Sequence, residues 1–158
     1  MIKLLDKISK KIEVELKIIG KGKKENYFVN VAKSKGINTI FYGPIFDDKI
    51  KNDIVSSCHF GLNLYKNGLA IGLTTKSMDY LSNSVPIINN IKEDTFYLIE
   101  KYNAGLNLND IDEVAEIITN LTLNDYKKMC AGAYDLYDKE FSENVFKKKL
   151  FKILDEFS

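Results

Sequence analysis

The stretch Gly72–Asn90, GLTTKSMDYLSNSVPIINN, carries two patterns in succession. From Thr74 to Asn83 the apolar residues recur at helical spacing. Val85–Asn90 is instead a continuous apolar burst around Pro86, the pattern of a strand covered on both faces. A helix leading into such a strand points to a parallel sheet sandwiched between helices.

The flanking sequence extends this alternation in both directions. Upstream, VELKIIG (Val14–Gly20) reads as a strand ending in glycine, and KENYFVNVAKSKG as a helix stopped by Gly36. NTIFYG (Asn38–Gly43) is strand-like. FDDKIKNDIVSS is helical with acidic residues in its first turn, and CHFGLNLY (Cys58–Tyr65) is another apolar run. Downstream, DTFYLIEKYN is a helix and AGLNL a short last strand. DIDEVAEIITNL and the two segments after it are helices. Alternation of this kind predicts one α/β domain over residues 1–158, a doubly wound Rossmann-like parallel sheet with helices on both faces.

Two ends of the pattern stand out. MIKLLDKISKKI is a helix ahead of the first visible strand, with Leu4, Leu5 and Ile8 on one face. A doubly wound domain ordinarily opens with a strand, so this one reads as beginning one strand late. Near the other end, FKKKLFKIL predicts a final helix that packs a face of Phe146, Leu150, Phe151 and Leu154. Phe41 and Tyr42 are assigned to the core.

Composition narrows the function. Net charge is +1 and every basic residue is a lysine, so charge gives nucleic-acid binding no support. The single histidine, His59, excludes a multi-histidine metal site and reads as a core residue rather than a base. Cys58 and Cys130 lack metal-ligand spacing and read as free thiols in a reducing compartment. No apolar run is long enough to span a bilayer and the N-terminus has no signal-peptide core, which predicts a cytoplasmic protein.

In sheets of this class ligands sit beyond the carboxyl ends of the strands. The turn before the Thr74 helix is the richest of these positions. Free amides of Gly72, Leu73, Thr74 and Thr75, the positive end of the helix dipole and the Lys76 ammonium together describe a phosphate seat. Asp79 lies three residues beyond Lys76 on nearly the same face, placed to accept hydrogen bonds from ribose hydroxyls. The same residues also fit an ordinary helix start with threonine caps and a Lys76–Asp79 surface pair. GKG at Gly20–Gly22 follows a strand but lacks the third glycine of a dinucleotide fingerprint, and by itself is a tight turn.

The order LKIIGKG, INTIFYGPIFDDKI, SSCHFGLNLYKN, GLTTKSMDYLSNSVPIINNI, YNAGLNL resembles the C-terminal, donor-binding domain of family 4 glycosyltransferases over about residues 14 to 157. The resemblance implies half of a GT-B fold, the C-terminal half of a larger two-domain enzyme. It implies that Gly20 and Gly22 line the donor cleft and that Gly43, Pro44 and Ile45 border the nucleotide base. Gly72–Thr75 and Lys76 would hold the diphosphate of a UDP- or GDP-linked sugar, and Asp79 the ribose. The family signature pairs two acids eight apart; the second matches Asp79, while Ile71 stands at the first. Ser84 stands where the family has glycine. The family's basic loop and its N-terminal acceptor domain have no counterpart in this chain, so the resemblance implies that the chain alone is inactive.

By the same resemblance the complete enzyme is a retaining hexosyltransferase of bacterial surface polysaccharide synthesis. It would work in the cytoplasm or at the inner face of the membrane, touching that membrane through the acceptor half. It implies no metal or other cofactor and no catalytic base within this chain. Two other readings stand beside it: a non-catalytic α/β module for protein interaction or regulation, and a degraded fragment that binds no nucleotide.

Overall fold

A computed structural model describes residues 1–66, 72–92 and 94–156. Five parallel strands alternate with helices. The order is α1 (Ile2–Ser9), β1 (Glu15–Ile19), α2 (Glu25–Ser34), β2 (Asn38–Gly43), α3 (Asp48–Ser56), β3 (Gly61–Asn63), α4 (Thr75–Ser82), β4 (Ile87–Asn89), α5 (Asp94–Tyr102) and β5 (Gly105–Asn107). Helices α6 (Ile111–Asn120), α7 (Leu123–Leu136) and α8 (Glu143–Glu156) follow. A π-helical turn at Tyr137–Phe141 separates the last two. The predicted α/β class and the predicted elements are present, though the ladder of β3 covers only the middle of the apolar run Cys58–Tyr65.

Helix ends follow local chemistry. Asp47, Thr74, Asp110 and Thr122 each cap a helix by accepting a hydrogen bond from a first-turn amide. Helix α2 stops where Gly36 enters the left-handed region at φ 70°. The Gly36 N–H then donates to Lys33 O and the Ile37 N–H to Ala32 O, the paired bonds of a Schellman end.

Successive residues of β4 show how the layers are built. Ile87 points into a core formed with Leu81 of α4, Ile99 of α5, and Ala133 and Leu136 of α7. Its neighbour Ile88 points the opposite way, into a core formed with Leu4 and Ile8 of α1 and Val114 and Ala115 of α6. A third cluster joins Leu5 of α1, Leu16 of β1 and Ala32 of α2. Helices α1, α2 and α6 therefore cover one face, and α4, α5 and α7 the other, with α3 beside α4. The buried face of α1 is the predicted one.

The sheet comes in two leaves. β1 pairs with β2, and β3, β4 and β5 pair in that order, all in parallel. No ladder joins β1 to β3 among the described residues.

Three side-chain expectations are corrected. Helix α8 buries none of its described residues, and Phe146, Leu150, Phe151 and Leu154 are exposed by 42–65%. A helical apolar stripe specifies that a face wants cover, not that this chain supplies it. Tyr42 is exposed rather than in the core, and Phe41 is half-buried. His59 is exposed too; it precedes β3, its ring lies against Tyr126, and its carbonyl accepts from the Tyr126 hydroxyl.

Candidate functional site

Each strand of the larger leaf ends in asparagine. The register places Asn63, Asn89 and Asn107 side by side at the carboxyl edge. Asn63 Nδ2 donates to Asn89 Oδ1 at 3.0 Å, and Asn89 Nδ2 donates to Asn107 Oδ1 at 2.9 Å. Asn89 also donates to Ile91 O and accepts from the Ile91 N–H, while Asn107 donates to Phe96 O. Asn63 and Asn89 are fully buried, so these amides stay in place only because each is satisfied. The ladder fixes where the chain leaves β4.

Thr74 ties this edge to α4. Its hydroxyl donates to Asn63 Oδ1 at 3.2 Å and accepts from the Ser77 N–H at 3.3 Å; Ser77 Oγ lies 3.0 Å away. The hydroxyl is thus engaged in capping and anchoring, and what Thr74 leaves for a ligand is its backbone. Gly72 and Thr75 are exposed beside it, and Leu73 is half-buried against the core. Among the described residues, none comes within 4 Å of where a Gly72 Cβ would stand. Lys76 is exposed and stands over the Tyr65 ring, 4.8 Å from its centroid. The Tyr65 backbone exchanges two hydrogen bonds of 2.7 Å with the Asn90 amide, holding it to the end of β4. Ile71, the position of the first family acid, lies outside the described residues.

Asp79 sits one turn below Lys76 and faces α3. Its Oδ1 is 3.2 Å from Lys51 Nζ, which also pairs with Asp48 at 3.0 Å. Hydrogen bonds from Lys51 first to Asp48 and then to Asp79 raise the lysine above its ordinary value. Asp79 therefore does not pair with Lys76, as the simple surface-pair reading would have it. It pairs across to the helix that follows Gly43, Pro44 and Ile45.

The other predicted residues group at the smaller leaf. Gly20 and Gly43 both have positive φ, 133° and 70°, and the Gly20 N–H donates to Gly43 O at 2.8 Å. Only residues without a Cβ adopt such backbone readily, so both strand ends need glycine. Gly20 and Gly22 line a shallow pocket of about 220 Å³ with Phe28 and Phe41. Pro44 is exposed and Ile45 half-buried on the way to α3. The structure thus brings Gly20, Gly22 and Gly43 together, and Gly72–Lys76 with Asp79. Ile19, next to Gly20, and Lys76 and Asp79 line one large cavity. The asparagine ladder and Lys51 went unread in the sequence, although the endings GLN, IIN and GLN of three successive strands are a visible signal.

An open parallel sheet with helices on both faces and a polar carboxyl edge defines the class. The fold matches that of GT-B-like glycosyltransferases. A crystal structure of an S. aureus TarM variant, in complex with fondaparinux, alpha-GlcNAc-glycerol and UDP, superposes with a TM-score of 0.68 at 18% identity. The match covers 94% of this chain and 31% of TarM. The chain belongs to the Glucosyltransferase 3-like C-terminal domain family, whose model matches residues 3–153. No curated protein matches the sequence. No helix among the described residues is long and apolar enough to cross a membrane.

Proposed function

We propose that this chain is the donor-binding domain of a retaining GT-B glycosyltransferase of family 4, taking a UDP- or GDP-linked sugar. The observation that carries the reading is the first turn of α4. It is pinned by Thr74 to the carboxyl edge of β3, with Gly72 before it and Lys76 beside it. First-turn amides have no partner within their own helix and lie at the positive end of its dipole. In this reading the amides of Gly72–Thr75 and the Lys76 ammonium take the diphosphate. They stabilise the charge that grows on it as the sugar departs. Asp79 keeps Oδ1 on Lys51 and offers Oδ2 to the ribose hydroxyls, and Gly43–Ile45 border the base. That the solved TarM complex contains UDP supports a nucleotide as the ligand. Retention of configuration, the bacterial surface-polysaccharide setting and a cytoplasmic site of action rest on the family 4 resemblance. Activity of the whole enzyme needs the acceptor half as well.

Titration of the nitrogen-15-labelled chain with UDP, GDP and ADP tests this. The expected result is that one nucleotide shifts the amides of Gly72–Asp79 together with those of Gly43–Ile45. Loss of two ribose hydrogen bonds in Asp79→Ala is expected to weaken that binding by about 1–3 kcal/mol while leaving the domain folded. Amides that stay put at millimolar nucleotide, or an Asp79→Ala affinity equal to wild type, would overturn the assignment.

A further inference from the structure

The Asp79 carboxylate is held by a residue of another helix. Its Oδ1 lies 3.2 Å from Lys51 Nζ, and the two side chains are exposed by only 30% and 26%. An ion pair so sheltered is screened less by salt than one in open solvent. The same ammonium reaches Asp48, one turn earlier on α3, at 3.0 Å. Asp48 is 85% exposed, so Lys51 is shared between an outer carboxylate and an inner one. Lys76, the other cation near Asp79, is engaged over the Tyr65 ring.

A separate contact keeps α3 and α4 in register without Lys51. Asn83 Nδ2 donates to Asn52 Oδ1 at 3.2 Å and to the Asp79 carbonyl at 2.8 Å. The Asp79 backbone is thus braced to the residue next to Lys51. What Lys51 adds is control of the carboxylate itself. An aspartate side chain without a partner samples several rotamers, and a ligand must offset the freedom it removes. With Oδ1 on Lys51, the group is ordered before a ligand arrives. Lys51, Lys76 and Asp79 line one cavity, so this ordered carboxylate and the Lys76 ammonium border the same space.

We infer that Lys51 is a positioning residue that makes the site select ribonucleotides over 2′-deoxyribonucleotides. It acts through Asp79, whose Oδ2 it leaves as the acceptor for the 2′-hydroxyl. Asp48 opposes it by drawing the ammonium outward. The inference rests on the donor-site reading above and adds to it the residues that set its selectivity.

The test titrates the whole chain with UDP and GDP, each beside its 2′-deoxy counterpart, and follows the amides of Gly72–Asp79. Wild type is expected to prefer the ribose form by about tenfold, the effect of one hydrogen bond to a charged acceptor. Lys51→Met should bring that preference to within about twofold while leaving the deoxy affinity unchanged, because selectivity is a difference of two affinities. Lys51→Arg should keep the preference, and Asp48→Asn should leave it at least as large as in wild type. A Lys51 that only supported the fold would weaken both nucleotides alike and lower the thermal midpoint with the ratio intact. A wild-type ratio in Lys51→Met, beside a lost preference in Asp79→Ala, would overturn this inference and leave the donor site standing. Loss of the preference in Lys51→Arg or Asp48→Asn would equally overturn it. A wild-type chain that binds no nucleotide, or shows no ribose preference, would overturn the inference together with the role of Asp79 on which it rests.

Discussion

Ser84 carries a conformation that its side chain resists. It lies just past α4 with φ 58°, where its N–H donates to Leu81 O and the Val85 N–H donates to Tyr80 O. These are the paired bonds of a Schellman end, as at Gly36. A left-handed residue with a Cβ costs about 1–2 kcal/mol, part of which glycine gives back as chain entropy in the unfolded state. Ser84→Gly is therefore expected to stabilise the domain by about 0.5–1 kcal/mol, read from the urea midpoint. Gly20 and Gly43 were legible for a similar cause, since a glycine at a strand end advertises an unusual backbone. The sequence offers Asp79 as a candidate, but it does not show the partner. The Lys51 contact spans two helices, and no local spacing encodes it.

At the scale of elements, the asparagine ladder is the feature on which the carboxyl edge depends. Asn89 makes four hydrogen bonds in a fully buried position. Asn89→Ala would leave the Asn63 and Asn107 amides and the Ile91 backbone short of partners, a cost of about 2–4 kcal/mol. Urea unfolding should show that loss, and the amides of the α4 first turn should shift, because Asn63 also anchors Thr74. A second link joins α5 to the π-helical turn. Glu140 Oε1 accepts from the Tyr102 hydroxyl at 2.6 Å and from Lys101 Nζ at 3.1 Å. The Tyr102 hydrogen bond, then that of Lys101, holds the Glu140 carboxyl below its ordinary 4.5. A carboxyl depressed in the folded state contributes stability that is fully present above the unfolded value and disappears as pH falls through the folded one. Urea midpoints taken from pH 7 downward should fall less steeply below about 4.5 in Glu140→Gln than in wild type. Parallel curves would remove the pair from the account.

The whole molecule is two packed leaves with a seam, and its last helix has its apolar stripe exposed. Because α8 buries no described residue, the double substitution Phe146→Ser with Phe151→Ser is expected to move the thermal midpoint by the equivalent of less than about 0.5 kcal/mol. A drop of several degrees would mean that α8 packs on the domain in solution. The elements that do carry the fold converge on β4, whose Ile87 and Ile88 anchor opposite cores. The carboxyl ends of the strands, where the donor is proposed to sit, lie beside the seam.

Taken by itself, the sequence determined the elements, their order and their class. Period and turn chemistry are properties of a few neighbouring residues, and hydrophobic runs without alternation already mean strands covered on both faces. The tertiary structure decided the rest: the lack of a β1–β3 ladder among the described residues, the alignment of Asn63, Asn89 and Asn107, the turn of Asp79 toward Lys51, and the exposure of the described residues of α8. Each depends on which distant segment arrives alongside. An apolar stripe or a terminal asparagine states what a residue needs, and only the assembled fold states whether a partner comes to meet it.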